Sequence, residues 1–249
     1  MNGAPPPSGP NDASRPRYLP IPTVRPRFTF VFLAINIVVF LLQTVTNAEA
    51  WFFFGAKINE FIVAGEWWRL ITPMFLHANL VHLAFNSYAL YIFGPQVEAV
   101  FGYRRFFFIY LLSGVSGAVL SFALSPQPSV GASGAIFGLV GSLLIYLFRH
   151  RQAFGDMGRR RLLEILTLAG INLVIGLSPG IDNWGHVGGL LGGATLAWLI
   201  GPIFGVEADS TGQPVIADRN RFGLQHWLAV FAVSLALGAV TAVTAALKK

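Results

Sequence analysis

The chain has 249 residues, of which 54% are hydrophobic and only 11% charged, whereas a soluble domain carries about a quarter charged residues. Seventeen Lys+Arg against 11 Asp+Glu give a formal net charge of +6. A basic balance can signal nucleic acid, but here the cations sit in loops and follow a topological pattern, so no nucleic acid is needed. There is no cysteine, which excludes a disulfide framework and thiol chemistry.

Residues 1–27 are Pro-, Arg- and polar-rich with no apolar signal-peptide core, and read as a disordered cytoplasmic tail. A membrane span needs about 20 mostly apolar residues. Such blocks occur at 28–46, 79–98, 104–124, 131–148, 162–179, 184–205 and 223–246. The connection 47–78 is too polar to span. Its aromatics, including Trp51, Phe52, Phe53, Phe54, Trp67 and Trp68, alternate with Lys57, Glu60, Glu66 and Arg69, so it reads as an outer-face loop half sunk in the headgroup region. "SPQPS" (125–129) and "SPGIDN" (178–183) are turns by composition. The polar stretch 206–222 reads as a cytoplasmic linker before the last span. The expected fold is all-α: a polytopic transmembrane bundle with a six-span core over 28–205 and a seventh helix over 223–249. Taking the connections alternately from the N-terminus, thirteen Lys+Arg fall on one side and four on the other. By the positive-inside rule the N-terminus is cytoplasmic and the C-terminus outside.

An unpartnered neutral polar group in hydrocarbon costs roughly 2–7 kcal/mol, and ionisable residues within spans are functional candidates by default. His82 and Asn86 are spaced i, i+4 near the start of the second span, roughly 40° apart on one helix face. His77 lies five residues before His82, roughly 140° away on a continuous helix, which argues against a metal pair. Ser133 and His186 each lie about a turn into the fourth and sixth spans. These three spans run inward, so the four residues share one depth near the outer face. Gly185, Gly189 and Gly193 form a doubled GxxxG face, and Gly134, Gly138 and Gly141 form a second at matching spacing. Such faces let backbones approach closely. Phe137, one turn below Ser133, is placed to pack on an imidazole. Each feature alone has a plain reading: serine as packing, histidine and asparagine as interhelical contacts. Their joint occurrence at one depth shifts the balance toward chemistry.

At these residues the sequence resembles the rhomboid family of intramembrane serine proteases over about residues 28–205. "GASG" (131–134) resembles the family's G-x-S-G motif, with Ser133 in the place of the nucleophile. "GHVGGLLGG" (185–193) resembles its H-x-x-G-x-x-x-G stretch, with His186 as the base. "HANLVHLAFN" (77–86) is similar to the second-span motif whose oxyanion contributors match His82 and Asn86. "EWWRL" (66–70) carries the Trp-Arg pair of the family's first loop at Trp68 and Arg69, and Glu98 resembles the acid ending the second span. Phe137 stands where many members have tyrosine. The resemblance implies a serine endopeptidase working through a Ser133–His186 dyad. The oxyanion would be held by the Ser133 backbone N–H, His82 and Asn86, with no metal or cofactor. It implies single-span transmembrane protein substrates cut near the outer face of a bacterial inner membrane. Asp182 is the one acid near His186 in sequence. The alternatives are an inactive rhomboid-like binding or quality-control protein, and a transporter or channel using the same polar residues.

Overall fold

A computed structural model describes residues 19–249; the first 18 residues of the expected tail lie outside them. The described chain is helical, with one small hairpin near the end. Helix α1 spans Phe28–Val45, α4 Leu80–Phe101, α5 Tyr103–Leu124, α6 Ser133–Arg149, α7 Arg151–Ile175, α8 Asn183–Ile200 and α9 Leu224–Leu247. These seven match the expected spans in order. Among the described residues, α1, α5 and α9 are apolar and long enough to cross a membrane by themselves, and α6 is a shorter apolar helix. In the other three, polar side chains (α4), charges (α7) or glycines (α8) dilute the apolar character. The protein is an integral membrane helical bundle.

Its centre is the contact of α5, α6 and α8, and glycine makes that contact possible. A Cβ on Gly189 would strike the carbonyl oxygen of Gly134, and one on Gly193 that of Gly138. A Cβ on Gly117 of α5 would lie 2.5 Å from the Gly185 carbonyl oxygen of α8. Without side chains between them, the backbones gain dispersion contacts that lipid cannot replace. The two glycine faces read from the sequence therefore meet.

Glu98, fully buried near the end of α4, fastens α1 to the bundle. Its Oε1 accepts from the Arg27 and Phe28 N–H groups at 2.8 and 2.7 Å; its Oε2 accepts from the Thr29 N–H and hydroxyl at 2.8 and 2.6 Å. The first N–H groups of a helix lack intrahelical partners and favour an anion, so a carboxylate from another helix caps α1. Glu98→Gln replaces one accepting oxygen with a donor that faces donors. It should lower stability by about 1.5–3 kcal/mol, read as an earlier thermal unfolding midpoint in detergent. An unchanged midpoint would mean that the carboxylate does not carry the cap.

The long first connection is ordered. It holds short helices α2 (Ala48–Gly55) and α3 (Asn59–Val63), then two 3₁₀ turns over Trp67–Leu70 and Thr72–Phe75. Phe53, Phe54, Trp67 and Trp68 stay exposed, the pattern expected of a segment in the headgroup region. Arg69 is buried beneath them. It donates to Glu66 Oε2 at 2.7 Å and to the Ala56 carbonyl at 3.0 Å, and its guanidinium lies 4.5 Å from the Phe61 ring centroid. Trp68 donates through Nε1 to the Phe54 carbonyl at 3.2 Å.

Three features differ from the sequence reading. Residues Val24–Arg27 of the expected tail are docked: the Val24 N–H donates to Ala99 O at 2.9 Å and Tyr103 donates to Arg25 O at 2.9 Å. The basic stretch after α6 is helical rather than open loop, broken at Gly155, whose φ of +52° a side chain would disfavour. The expected linker contains an antiparallel hairpin, β1 (Phe204–Ala208) with β2 (Pro214–Asp218). Arg105 at the head of α5 pairs with Asp218 at 2.8 Å, and His150 Nε2 accepts from the Phe204 N–H at 3.0 Å. The hairpin is thereby tied to both α5 and the end of α6. Helix α9 then packs along α5, and its Ala245 joins Ile62, Leu70, Val119 and Phe122 in a small apolar cluster under the first loop.

Candidate active site

Ser133 is the first residue of α6 and His186 lies in the first turn of α8. Gly134 and Gly189, at one of the close backbone contacts between α6 and α8, bring these two helix starts together. The Ser133 Oγ–His186 Nε2 distance is 2.9 Å. With the ring proton on Nδ1, Nε2 is free to accept the Ser133 O–H. The Phe137 ring stacks on the imidazole, centroids 4.5 Å apart and planes 13° from parallel, which fixes the ring without needing a phenolic hydroxyl. His186 Nδ1 has no hydrogen-bond partner among the described residues. Asp182 does not orient it: its Oδ1 accepts from the Gly185 N–H at 3.0 Å and so caps α8. The pair is a dyad.

The approach to Ser133 turns at Gly131, where φ is +129° and the N–H donates to the Pro73 carbonyl at 2.8 Å. A side chain there would be strained by backbone alone. Its Cβ would also lie 2.7 Å from His82 Nε2 and 3.8 Å from Ser133 Oγ. The missing methyl thus leaves open the space between the serine hydroxyl and the His82 ring. His82 Nδ1 accepts a long bond from the Ala78 N–H at 3.4 Å, which favours the tautomer with a donor at Nε2. Asn86 is buried one turn on, and its amide donates to the His82 carbonyl at 2.9 Å.

His77 corrects the helical-wheel reading. Its ring meets that of His82 edge-on at 5.2 Å, because α4 begins only at Leu80, capped by the Asn79 side chain, and His77 precedes it outside the helix. Its backbone is pinned to Gln43 of α1 by two hydrogen bonds, at 3.3 and 3.2 Å. Burial, with His82 beside it, pushes the His77 imidazole down to about 4, so the ring is neutral. No cluster of metal-ligating side chains occurs among the described residues.

Of the other residues singled out from sequence, Gly185 lines the cleft beside Ser133. Trp68 and Arg69 hold the first loop together through the Phe54 and Ala56 carbonyls, and Glu98 caps α1. One residue escaped notice. Lys57 is fully buried, and its ammonium donates into the turn that leads to Ser133. In the sequence it is one loop cation among many.

Residues 64–203 match the family model described as Rhomboid domain. Over 220 residues the chain is 41% identical to Rhomboid protease GluP of Bacillus subtilis (strain 168), covering 86% of this chain and 40% of that protein. It is 38% identical to RHOMBOID-like protein 9, chloroplastic, of Arabidopsis thaliana, covering 60% of this chain and 35% of that one. It is 29% identical to Rhomboid protease AarA of Providencia stuartii, covering 70% and 73%. The chain thus spans well under two thirds of the first two relatives and most of the third. With the family model covering more than half of its length, the chain belongs to the rhomboid family.

Proposed function

We propose that this protein is an intramembrane serine endopeptidase that cleaves single-span transmembrane substrates near the outer face of the membrane. The observation that carries the reading is the 2.9 Å approach of Ser133 Oγ to His186 Nε2 at two adjoining helix starts. His186 takes the Ser133 proton as Oγ attacks the scissile carbonyl; the imidazolium then protonates the departing amine, and water hydrolyses the acyl-enzyme. The carbonyl oxygen becomes an anion and needs donors. Ser133, as the first residue of α6, offers a main-chain N–H with no intrahelical acceptor and the positive end of the helix. The gap left by Gly131 lies between Ser133 Oγ and the His82 ring, which supports His82 Nε2 as a second donor. Asn86 serves as a third donor once its amide leaves the His82 carbonyl. Apo hydrogen bonds at catalytic sites commonly rearrange in this way.

The cation distribution supports a cytoplasmic N-terminus and, with it, an outer-face position for the helix starts that carry Ser133 and His186. A helical peptide bond is shielded, so residues that weaken a helix, such as Gly or Pro, favour cleavage. The orientation is tested by single cysteines in a chain that has none. One at Gln127 should react with a membrane-impermeant thiol reagent from outside intact cells, and one at Gln152 should not; the reverse pattern overturns it. The chemistry is tested by cleavage of a membrane-helix substrate and by fluorophosphonate labelling of the purified protein, with Ser133→Ala and His186→Ala alongside.

A further inference from the structure

Lys57 sits between α2 and α3 with none of its surface exposed. Its Nζ donates to Asn59 Oδ1 at 3.2 Å, Ser125 O at 3.2 Å and Gln127 O at 2.6 Å. Its backbone pairs with Ser129 in both directions, at 3.0 and 3.1 Å. Buried charges are ordinarily paired with opposite ones, and taking an ammonium out of water costs several kcal/mol. Among the described residues, its hydrogen-bond acceptors are oxygens of neutral groups, two of them main-chain carbonyls in the turn from α5 to α6. That turn runs through Gly131, itself tied to Pro73 at 2.8 Å, into Ser133. The first loop therefore grips the approach to the serine at three points, through the Lys57 ammonium, the Lys57–Ser129 backbone pair and Pro73. The ammonium is the strongest hold, because hydrogen bonds to a charged group are about twice as strong as neutral ones.

We propose that Lys57 is a positioning residue for the reaction: its ammonium clamps the α5–α6 turn to the first loop and so holds the Ser133 hydroxyl and main-chain N–H in register with His186. The inference rests on the protease reading above. Loss of the ammonium should slow the chemical step and leave substrate binding unaltered, because no part of Lys57 is exposed to a substrate.

The clamp is sensitive to pH. Burial lowers the Lys57 ammonium from 10.5 to about 8; among facing charges Asp182 at the start of α8 and Glu60 in α3 favour it, and Lys248 at the end of α9 opposes it. A neutral amine has two N–H groups for three acceptors, so deprotonation frees one of them. The turn loosens and the rate falls as pH rises through about 8. Stability moves the other way. Between about 8 and 10.5 the unfolded chain keeps a proton that the folded protein has lost, so this site's contribution to unfolding free energy rises with pH. A lysine that only held the fold together would not separate the two.

The test measures kcat and KM for a fluorogenic transmembrane peptide from about pH 6.5 to 9.5 on the purified full-length chain in detergent, with the thermal midpoint at each pH. Wild-type kcat should fall through about pH 8 while the midpoint does not fall. Lys57→Met should lower kcat at neutral pH by roughly 10- to 100-fold, the scale of a small misplacement of reacting groups, with KM within about twofold and no further loss above neutrality. Lys57→Arg, whose guanidinium stays charged, should recover part of the rate and abolish the alkaline fall. A wild-type kcat level through this range, or one falling only in step with the midpoint, overturns the proposal. So does Lys57→Met with unaltered kcat or with a change confined to KM. Should that variant not fold, the wild-type profile decides. A wild type that neither cleaves nor takes a fluorophosphonate label sinks the protease reading instead.

Discussion

Ser133→Ala should lose both cleavage of a membrane-helix substrate and fluorophosphonate labelling, with kcat down by at least about 10⁴-fold. His186→Ala should fall as far. The double variant should be no worse than either single one, because a nucleophile and its base act as a unit and removing one silences the other. The geometry demands this outcome. Among the described residues, the hydroxyl at 2.9 Å from Nε2 has that one proton acceptor, and no acid lies behind the imidazole Nδ1 that could serve in its absence. His82→Ala and Asn86→Ala should keep the label and lose less rate, about 10²–10³-fold each, the usual worth of one oxyanion donor. The ordering is diagnostic. If Ser133→Ala takes as much label as wild type, the serine is not the nucleophile. If the wild type takes none, the chain is better read as a rhomboid-like binding protein, and its dyad as an inert contact. A transporter would retain its activity in Ser133→Ala.

How far these residues were legible in advance differs by the kind of signal each gives. The helices announced themselves as apolar blocks, and α6 and α8 gave their shared face away through glycines at helical spacing. Ser133 and His186 could be set at one depth by counting from span starts that alternate in direction. The same counting failed for His77: the helical wheel assumes continuous helix, and the Asn79 cap starts α4 after it. The hairpin was missed because each strand is only five residues long, with mixed polarity, too short to show alternation against a polar background. Its marks were Gly212 in the turn and the Arg105–Asp218 pair, which joins residues far apart in sequence. Glu98 could be singled out by resemblance. Its task could not, because it caps main-chain N–H groups about 70 positions away. Lys57 is the extreme case. Two of its three side-chain acceptors are backbone carbonyls in a distant turn, and a carbonyl has no letter in the sequence.

Gly189→Ala, the addition of a single methyl group, should cost the protein about as much as a direct hit on the oxyanion site. The new Cβ would land on the Gly134 carbonyl oxygen, with Gly134 C at 2.7 Å and Cα at 2.9 Å behind it. All three are backbone atoms, so no rotamer change relieves the clash, and the two helices must separate. Overpacking of this kind costs about 1–3 kcal/mol. The rate should suffer more, because Gly134 adjoins Ser133 and Gly189 lies three residues past His186. Shifting reacting groups by about 1 Å can cost 10²-fold, and the label should weaken in proportion. Gly193→Ala makes the same kind of clash, with the Gly138 carbonyl, one turn further from the hydroxyl. It should lose similar stability and less rate. Gly170→Ala in α7 and Gly238→Ala in α9 are the controls, since nothing lies within 4 Å of a Cβ at either position. Each should leave the rate alone and gain up to about 1 kcal/mol from helix propensity. Cleavage by Gly189→Ala within about tenfold of wild type would show that the dyad tolerates a looser interface than this one, and that the glycines serve stability alone.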